Sequence, residues 1–230
     1  MAAAPLPANE MDRLAALRSA GILDTAPEVA FDDLTRLAAY ICKTPISTIT
    51  FIDANRQWFK SRVGMTDTET SRDISFCSHA ILTDGMMIVP DATRDSRFAG
   101  FSNVVDDPLI RFYAGVPLKS REGLALGTLC VIDRQARTLE PEQEGALRAL
   151  GRQAAMQLEL RRALADVTEL MSRVKILSGL VPMCAWCKKL RDDTSYWQSV
   201  EEYLAAHSEA SITHGMCPEC LERELRDPRR

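Results

Sequence analysis

The sequence lacks most features that mark membrane, secreted or nucleic-acid-binding proteins. No stretch approaches the roughly 18 consecutive apolar residues that a transmembrane helix needs, and the opening MAAAPLPANEMDR has no basic segment followed by an apolar run. Basic residues show no excess, with 28 lysines and arginines against 32 aspartates and glutamates, which argues against a general nucleic-acid binder. We therefore expect a cytoplasmic protein that uses neither a membrane nor a nucleic acid as its partner.

A complete disulfide framework is also missing, because the seven cysteines are an odd number. Three of them are scattered singly, Cys42, Cys77 and Cys130, and of these Cys42 and Cys130 lie in apolar runs. The other four form two C-x-x-C pairs: Cys184 with Cys187, and Cys217 with Cys220. In a reducing cytosol such pairs more often bind metal or carry out redox chemistry than form structural disulfides.

A long helix is predicted from residue 141 to residue 181, where apolar residues recur at alternating steps of four and three. This seam consists of Met156, Leu160, Ala163, Val167, Leu170, Val174, Leu177 and Val181. Pro141 suits a first helical turn, and Pro182 ends the series. β-Branched residues at a and leucine at d favour a parallel two-stranded coiled coil, so we expect a homodimer through this helix. The alternative is a helix that packs on its own domain, since Leu164 and Met171 widen the stripe.

The preceding residues predict two helices, then antiparallel strands with short helical inserts. The predicted elements are helices at 9–20 and 31–41, a β-hairpin at 46–64, a helix at 75–82, a strand at 87–89, a helical turn at 94–98, and strands at 111–118 and 124–132. Gly21 is expected just past the end of the first helix, and residues 65–73 are expected to form a polar loop. This order indicates an α+β domain with one antiparallel sheet covered by helices.

Five motifs follow one another in the N-terminal part of the chain: RDISFCSHAI, IVPDATRDSRF, IRFYAGVPL, GLALGTLCVID and LEPEQEGALRALGRQ. Over residues 9–165 this series resembles the GAF domains of bacterial signalling proteins, in particular those joined to sensor histidine kinases and diguanylate cyclases. The resemblance implies helices on one face of the sheet, a small-molecule pocket on the other, and dimerisation through the first and last helices. It names no ligand, because similar domains bind cyclic nucleotides, bilins, haem or nothing known.

The candidates for lining such a pocket are aromatic, thiol and basic residues: Trp58, Phe76, Cys77, His79, Arg111, Tyr113 and Cys130. Cys77 and His79 lie two apart on a short helix and so point about 200° apart, and Ser78 between them departs from the Cys-His pattern of bilin-binding phytochromes. His79 is more simply a hydrogen-bonded structural residue. Arg111 could meet an anionic ligand or be a solvated charge at a strand end. Cys77 and Cys130 lack the local spacing that would suggest a thiol reductase.

The segment after Pro182 is predicted to be a small module stabilised by metal. Two residues between cysteines let both thiolates reach one ion at about 2.3 Å, and two such pairs complete a tetrahedral shell. We assign a structural Zn²⁺ to Cys184, Cys187, Cys217 and Cys220, with His214 as a further candidate donor. An iron–sulfur cluster is the alternative, since four thiolates suit it equally, and a redox dithiol is a third interpretation. Ser195 to Gln198 fit a capping box for a short helix between the pairs.

The tail also resembles a short cysteine module found at the C-termini of bacterial PAS, GAF and receiver-domain proteins, through CAWCKK, YW and HGMCPEC. The chain then divides into a tail (1–8), a GAF-like domain (9–150) whose last helix continues into a coiled-coil linker (151–181), a four-cysteine module (182–226) and a second tail (227–230). In this division, the coiled-coil helix would connect the sensing domain with the four-cysteine module.

These features predict a non-enzymatic signal-transduction protein. The GAF-like domain would sense a small molecule or redox state, and the coil would pass the change to the zinc module. The expected partner is a protein of a two-component or cyclic-dinucleotide pathway. One alternative is a small thiol-based reductase acting on methionine sulfoxide or a disulfide through Cys77 or a C-x-x-C pair. Another is a structural adaptor with an empty pocket.

Overall fold

A computed structural model describes residues 3–174, 182–191, 196–207 and 213–226. The chain forms two compact units, Met1–Ala165 and Asp166–Arg230. Within the described ranges, no helix is both long enough and apolar enough to cross a bilayer.

The first unit has the predicted α+β order: two helices, then antiparallel strands with short helical inserts, then a long helix. Its helices are α1 (Glu10–Ser19), α2 (Val29–Cys42), α3 (Phe76–Ala80), α4 (Ser102–Val105) and α5 (Pro141–Val174), the last of which extends beyond the unit. Its strands are β1 (Ile46–Ile52), β2 (Arg56–Val63), β3 (Glu69–Ser71), β4 (Met87–Val89), β5 (Phe112–Lys119) and β6 (Ala125–Asp133). They form one antiparallel sheet in the order β3-β2-β1-β6-β5-β4. The predicted sheet class and the long C-terminal helix are confirmed.

Both faces of this sheet are covered, so all seven residues of β1 are buried. Successive side chains of a strand point to opposite faces. Ile49 pairs with Leu129 on the face that packs against α1, α2 and α5. Thr48 pairs with Cys130 on the face that packs against α3. The helix-covered face is apolar, whereas the second face places hydroxyl and thiol groups at the centre of the sheet.

Helix α5 carries two apolar stripes, and only one of them packs on the sheet. The buried stripe contains Leu147, Ala154 and Leu158. Gly151 lies in the same stripe, where an added Cβ would come within 2.7 Å of the Val116 side chain. The seam residues predicted for a coiled coil stay more than half exposed where they are described: Met156, Leu160, Val167 and Leu170. The last part of that prediction, residues 175–181, lies outside the described residues.

Three short elements were absent from the sequence prediction. The predicted polar loop at 65–73 contains the edge strand β3 and a 3₁₀ turn at Arg72–Ile74. Helix α4 follows the predicted turn near 94–98, which is a single hydrogen-bonded turn from Asp95 to Ala99. Elements of three or four residues span about one period, so hydrophobic periodicity cannot reveal them.

After the end of α5, the described residues of the second unit form a two-stranded sheet and two helices. These are β7 (Leu190–Arg191), β8 (Trp197–Gln198), α6 (Val200–His207) and α7 (Pro218–Arg226). The capping box predicted at Ser195 to Gln198 is wrong in position, because Trp197 and Gln198 belong to β8, and Ser195 lies outside the described residues. Instead, Ser199 Oγ accepts from the Glu202 amide at 3.1 Å, and Glu202 Oε2 accepts from the Ser199 amide at 2.9 Å. This reciprocal pair starts α6.

Candidate functional site: a buried thiol pair beside a cavity

Helix α3 is fixed on the second face of the sheet by its first residues. Ser75 Oγ accepts a hydrogen bond from the Ser78 amide at 3.0 Å, which caps the helix. The same hydroxyl donates to the side-chain carbonyl of Gln57 on β2. This link holds the start of α3 against the sheet and buries Phe76 and Cys77 between them.

Two cysteines 53 positions apart meet under this helix. The Sγ atoms of Cys77 and Cys130 lie 3.8 Å apart, and we call these two residues the thiol pair. The Tyr113 hydroxyl donates to Cys77 Sγ at 3.4 Å, and Thr48 Oγ1 lies 3.1 Å from Cys130 Sγ. The sequence shows no local spacing between these cysteines, and the structure brings them together because α3 lies directly over β6.

The two thiols differ in acidity although both are buried. Burial acts to raise the pKa of Cys77, but hydrogen bonds from Cys130, Thr128 and other hydroxyl groups outweigh it and lower that pKa to about 7. The hydrogen bond with Cys77, together with burial, raises the pKa of Cys130 well above its ordinary value. Burial also raises the pKa of Tyr113, so its hydroxyl remains a donor at neutral pH. A proton leaving the pair comes from Cys77.

Gly115 makes room for the tyrosine in this arrangement. It pairs with Cys130 in the sheet, and an added Cβ would lie 2.1 Å from the Tyr113 hydroxyl oxygen. Any side chain at this position would push that hydroxyl away from Cys77. The sequence shows the glycine, but only the strand register shows what it accommodates.

An inner cavity of about 200 Å³ opens beside the thiol pair. Three of the residues predicted to line a pocket border it: Phe76, Cys77 and Tyr113. Polar groups are contributed by Gln57, Ser75 and Asn103, and carboxylates by Asp67 and Asp107. Of the residues that the structure describes, no lysine or arginine lines this cavity. Whether these residues bind a ligand stays a prediction.

Trp58 and His79 lie elsewhere. Trp58 belongs to the helix-covered core on the opposite face, where its ring centroid lies 6.5 Å from that of Phe51. His79 packs edge-on against Phe98, with the ring centroids 4.9 Å apart. Burial lowers its pKa, and its Nε2 atom has no hydrogen-bond partner within the described part of the chain. His79 is thus a packed aromatic residue and not the hydrogen-bonded residue that the simpler interpretation expected.

Arg111 is used inside the protein rather than in the cavity. Its Nη1 atom donates to the carbonyl of Val104 at 2.8 Å and to that of Ile110 at 3.0 Å. The guanidinium therefore joins the end of α4 to the start of β5. Neither interpretation from the sequence, a contact with an anionic ligand or a solvated charge, describes this role.

Sequence reasoning missed the most informative cavity residue, Asn103 of α4. Its Nδ2 atom donates to the Ile74 carbonyl at 3.1 Å, which fixes the side chain. Its Oδ1 atom is buried and accepts no hydrogen bond from any residue in the described ranges. A buried acceptor without a partner costs about 1–3 kcal/mol, so Asn103 offers a place for a donor group of a ligand or a water. Asparagine in a loop-rich segment carries no signal of this kind.

A second, outer cavity of about 280 Å³ shares part of this wall. Asp67 and Asp107 border both cavities, and Arg134 borders only the outer one. The two carboxylates are exposed and lie in the wall that the two cavities share, whereas the positive charge of Arg134 borders the outer cavity alone.

The cysteines of the second unit form two separate turns. The Cys187 amide donates to Cys184 Sγ at 3.5 Å, and the backbone amides of Cys187 and Trp186 lower the pKa of Cys184. The Cys220 amide likewise lowers the pKa of Cys217, just before α7. No group of three or more histidine, cysteine or acidic side chains in the described ranges lies close enough to hold a metal. Each pair is arranged to favour a thiolate, while the four-ligand site, including His214, stays a prediction.

A curated relative shares the N-terminal part of this chain. Over 147 residues the chain is 42% identical to the cyclic di-GMP phosphodiesterase PA2567 of Pseudomonas aeruginosa. The alignment covers 64% of this chain and 25% of that protein. The chain thus spans about a quarter of the length of this relative.

Solved structures share the fold. A domain described as part of a two-component sensor histidine kinase from Sinorhizobium meliloti 1021 aligns with a TM-score of 0.51 at 12% identity, covering 63% of this chain and 99% of that one. The chromophore-binding domain of the bacteriophytochrome RpBphP3 from R. palustris aligns with a TM-score of 0.50 at 12% identity, covering 70% of this chain and 65% of that one.

A family model described as GAF domain matches residues 13–158. Since this match includes more than half of the sequence, the chain belongs to the GAF domain family.

Proposed function

We propose that this chain is a non-enzymatic sensory protein whose GAF domain binds a small neutral or cationic molecule in the inner cavity. The observation that carries the proposal concerns Asn103, a residue that borders the cavity and whose buried Oδ1 atom accepts no hydrogen bond from the described residues. Phe76 and Tyr113 supply apolar surface opposite a few polar groups, which is the usual composition of a ligand site.

The size of the cavity limits the ligand. About 200 Å³ corresponds to about seven waters at about 30 Å³ each, and sites for drug-sized molecules measure about 300–1,000 Å³. An amino acid or a nucleobase is of a suitable size. A bilin, a haem or a cyclic dinucleotide would need a much larger cavity.

Charge limits the ligand further. Asp67 and Asp107 are the ionisable carboxylates of the inner cavity, and they would repel a phosphate group that had no cation beside it. They would attract an ammonium group. The outer cavity adds Arg134, which suits a carboxylate at the far end of a zwitterion. A free amino acid or an amine is therefore the preferred class.

The sheet offers a direct route from the cavity to α5. Tyr113 borders the cavity, and three residues farther along β5 the Val116 side chain contacts α5 at Gly151. A ligand that shifts β5 would therefore shift the helix. Similarity to a domain-sized part of a cyclic di-GMP phosphodiesterase supports a partner in a cyclic-dinucleotide or two-component pathway.

The function is tested by thermal unfolding of the full chain with free amino acids, biogenic amines, nucleobases and cAMP as probes. We expect at least one amine or amino acid to raise the unfolding temperature, because a ligand at 100 times its Kd adds about 2.7 kcal/mol to stability. The Asp107→Asn variant should lose most of this shift, since it removes a cavity carboxylate.

Asp106→Asn is the matched control, because Asp106 is an exposed neighbour that lies outside the cavity wall. It should keep the full shift. Stabilisation by cAMP alone would contradict the proposed ligand class. A panel in which no probe binds would favour the structural adaptor.

We also propose that the exposed seam of α5 pairs with the same seam of a second copy. Met156, Leu160, Val167 and Leu170 are more than half exposed and follow heptad spacing, which suits a parallel coil. The buried stripe with Leu158 already packs on the sheet, so α5 can do both. Light scattering that gives the mass of one chain in solution would contradict the homodimer.

The four-cysteine module is proposed to bind one structural Zn²⁺, with an iron–sulfur cluster as the alternative. The lowered pKa values of Cys184 and Cys217 support it, because thiolates are the metal-binding form. We expect about one zinc per chain by elemental analysis, and loss of that zinc in Cys187→Ser and Cys220→Ser. EDTA should make the C-terminal unit sensitive to protease and leave the GAF domain intact.

Cys42→Ala serves as the control, since Cys42 belongs to the core of the GAF domain, and it should keep its zinc. Unchanged protease resistance in EDTA would contradict a structural metal. Coloured protein containing iron would favour the cluster.

A thiol-based reductase is the second candidate function, and the 3.8 Å separation of Cys77 and Cys130 favours it. Two adjacent thiols can reduce a substrate and be oxidised to a disulfide. Multiple turnover of methionine sulfoxide with dithiothreitol as reductant would favour the enzyme over the sensor.

A further inference from the structure

The thiol pair has a geometry that ligand binding alone does not explain. The two Sγ atoms lie 3.8 Å apart, and a disulfide needs about 2.05 Å. We propose that Cys77 and Cys130 are a peroxide-reactive pair that closes to a reversible disulfide and makes this GAF domain responsive to oxidant. The proposal uses the inner cavity of the proposed function only as the route of access and does not require the amine ligand.

The surroundings of the pair assign a different task to each cysteine. Cys77 lines the inner cavity, whereas Cys130 is fully buried and does not line it. A small hydroperoxide in the cavity therefore meets Cys77 first. Cys130 lies behind it, in contact with the same sulfur. Cys77 is the attacking thiol and Cys130 the resolving thiol.

The acidity of the two thiols agrees with this order. The pKa of Cys77 is lowered to about 7 and that of Cys130 is raised, so Cys77 supplies the thiolate at neutral pH. The Tyr113 hydroxyl donates to the Cys77 sulfur and stabilises the negative charge. Thiolate character and access together decide which cysteine a peroxide oxidises.

The chemistry balances with hydrogen peroxide as the oxidant. The Cys77 thiolate attacks one peroxide oxygen, the O–O bond breaks, and the product is a sulfenic acid and hydroxide, which takes up a proton. The Cys130 thiol then attacks the sulfenic sulfur, the S–S bond forms, and the hydroxyl group leaves as water with the Cys130 proton. Two thiols and one peroxide yield one disulfide and two waters, and two electrons pass to the peroxide.

Closing the pair would alter the cavity. Cys130 lies in β6, which is paired on both sides with β1 and β5, so the five-residue helix α3 is the part that can move. Phe76 precedes Cys77 on α3, lines the cavity, and stacks on Tyr113 and Phe98 with centroid distances of 5.2 and 4.2 Å. Drawing α3 toward the sheet therefore shifts Phe76 and changes the space for a ligand.

Cys42 provides an internal control. It is buried in the helix-covered core on the opposite face, and burial raises its pKa to about 11. It has neither the thiolate nor the access of Cys77. It should stay reduced under conditions that oxidise the thiol pair.

The test treats the full chain with a small excess of hydrogen peroxide, blocks the remaining thiols, and maps tryptic peptides without reduction. We expect peptide 73–94, which contains Cys77, to be linked to peptide 122–134, which contains Cys130. The linked species should weigh two hydrogen atoms less than the sum of the two peptides, and dithiothreitol should separate them. Cys42 should be recovered with the blocking group.

Variants then separate the two tasks. Cys130→Ser should accumulate a sulfenic acid at Cys77 that dimedone traps, and Cys77→Ser should leave Cys130 unmodified. Recovery of both peptides unlinked from oxidised wild-type protein would overturn the proposal, whether or not the variants fold. Dimedone on Cys130 in Cys77→Ser would overturn the assignment of tasks. If the disulfide forms but no probe binds, the proposed ligand class is wrong and the proposed reactivity of the thiol pair stands.

Discussion

Gly127→Ala is expected to prevent folding of the GAF domain or to destabilise it by more than about 4 kcal/mol. Gly127 lies in β6 at the centre of the sheet, opposite Phe51 of β1 and Leu118 of β5. An added Cβ would lie 1.9 Å from the backbone carbonyl oxygen of Thr50. Because that atom belongs to a paired strand and not to a flexible side chain, β1 and β6 must separate to relieve the clash.

Gly145→Ala is the matched control for this substitution. Gly145 lies within α5 and has open space where a Cβ would be added, so alanine should stabilise the helix by about 0.5–1 kcal/mol. Urea unfolding followed by circular dichroism measures both variants. Equal stabilities for the two variants would show that the approach of β6 to β1 does not limit the fold.

Arg13→Ala is expected to destabilise the GAF domain by about 1.5–3 kcal/mol, the range for the loss of hydrogen bonds that involve charged groups. The Arg13 side chain is only 2% exposed. Its Nη1 atom donates to the Ile52 carbonyl at 2.6 Å, and its Nε and Nη2 atoms bind the Glu10 carboxylate at 2.7 and 2.8 Å. Truncation leaves the carbonyl at the end of β1 without this donor and leaves Glu10 with Arg72, whose Nη1 atom lies 2.6 Å away.

The ion pairs of Glu10 with Arg13 and Arg72 also predict how the stability of the GAF domain changes with pH. Burial acts to raise the pKa of Glu10, but hydrogen bonds and charges of Arg13 and Arg72 outweigh it and lower the pKa from 4.5 to about 2. The ionised form is the stabilising one, so this contribution is complete above about pH 4.5 and is lost as the pH falls toward 2. Arg13→Ala should lose less stability over that interval than the wild type.

Arg18→Ala is the control on the same helix, because Arg18 is exposed and its loss should change stability by no more than about 0.5 kcal/mol. Urea unfolding at pH 7 and pH 3 measures all three proteins. If Arg13→Ala is as stable as Arg18→Ala, the stability of the GAF domain does not depend on the ion pair between Arg13 and Glu10.

Local patterns in the sequence were sufficient for the longer elements. The 3.6-residue period from Phe31 to Ile41 predicted α2, and the alternation around the turn at 53–56 predicted β1 and β2. Periodicity works there because each element is long enough to repeat its buried face. It fails for β3 and α4, because three or four residues are too few to repeat a buried face.

Helix α5 shows where a pattern leaves a choice open. Its sequence contains both a heptad seam and the stripe of Leu147, Ala154 and Leu158. The close approach of Gly151 to Val116 decides which stripe faces the sheet. No count of apolar residues could choose between them, since both stripes are apolar and only one fits the surface of β5.

The sequence by itself determined the fold class and family, the long C-terminal helix, and three of the residues that border the cavity, because these depend on periodicity and on ordered motifs. Only the tertiary structure decided that Arg111 ties α4 to β5 and that Asn103 presents a buried acceptor. It also decided that Cys77 and Cys130 are neighbours. Contacts of this kind depend on strand register and on where a short helix lies, and neither can be predicted from the separation of residues along the chain.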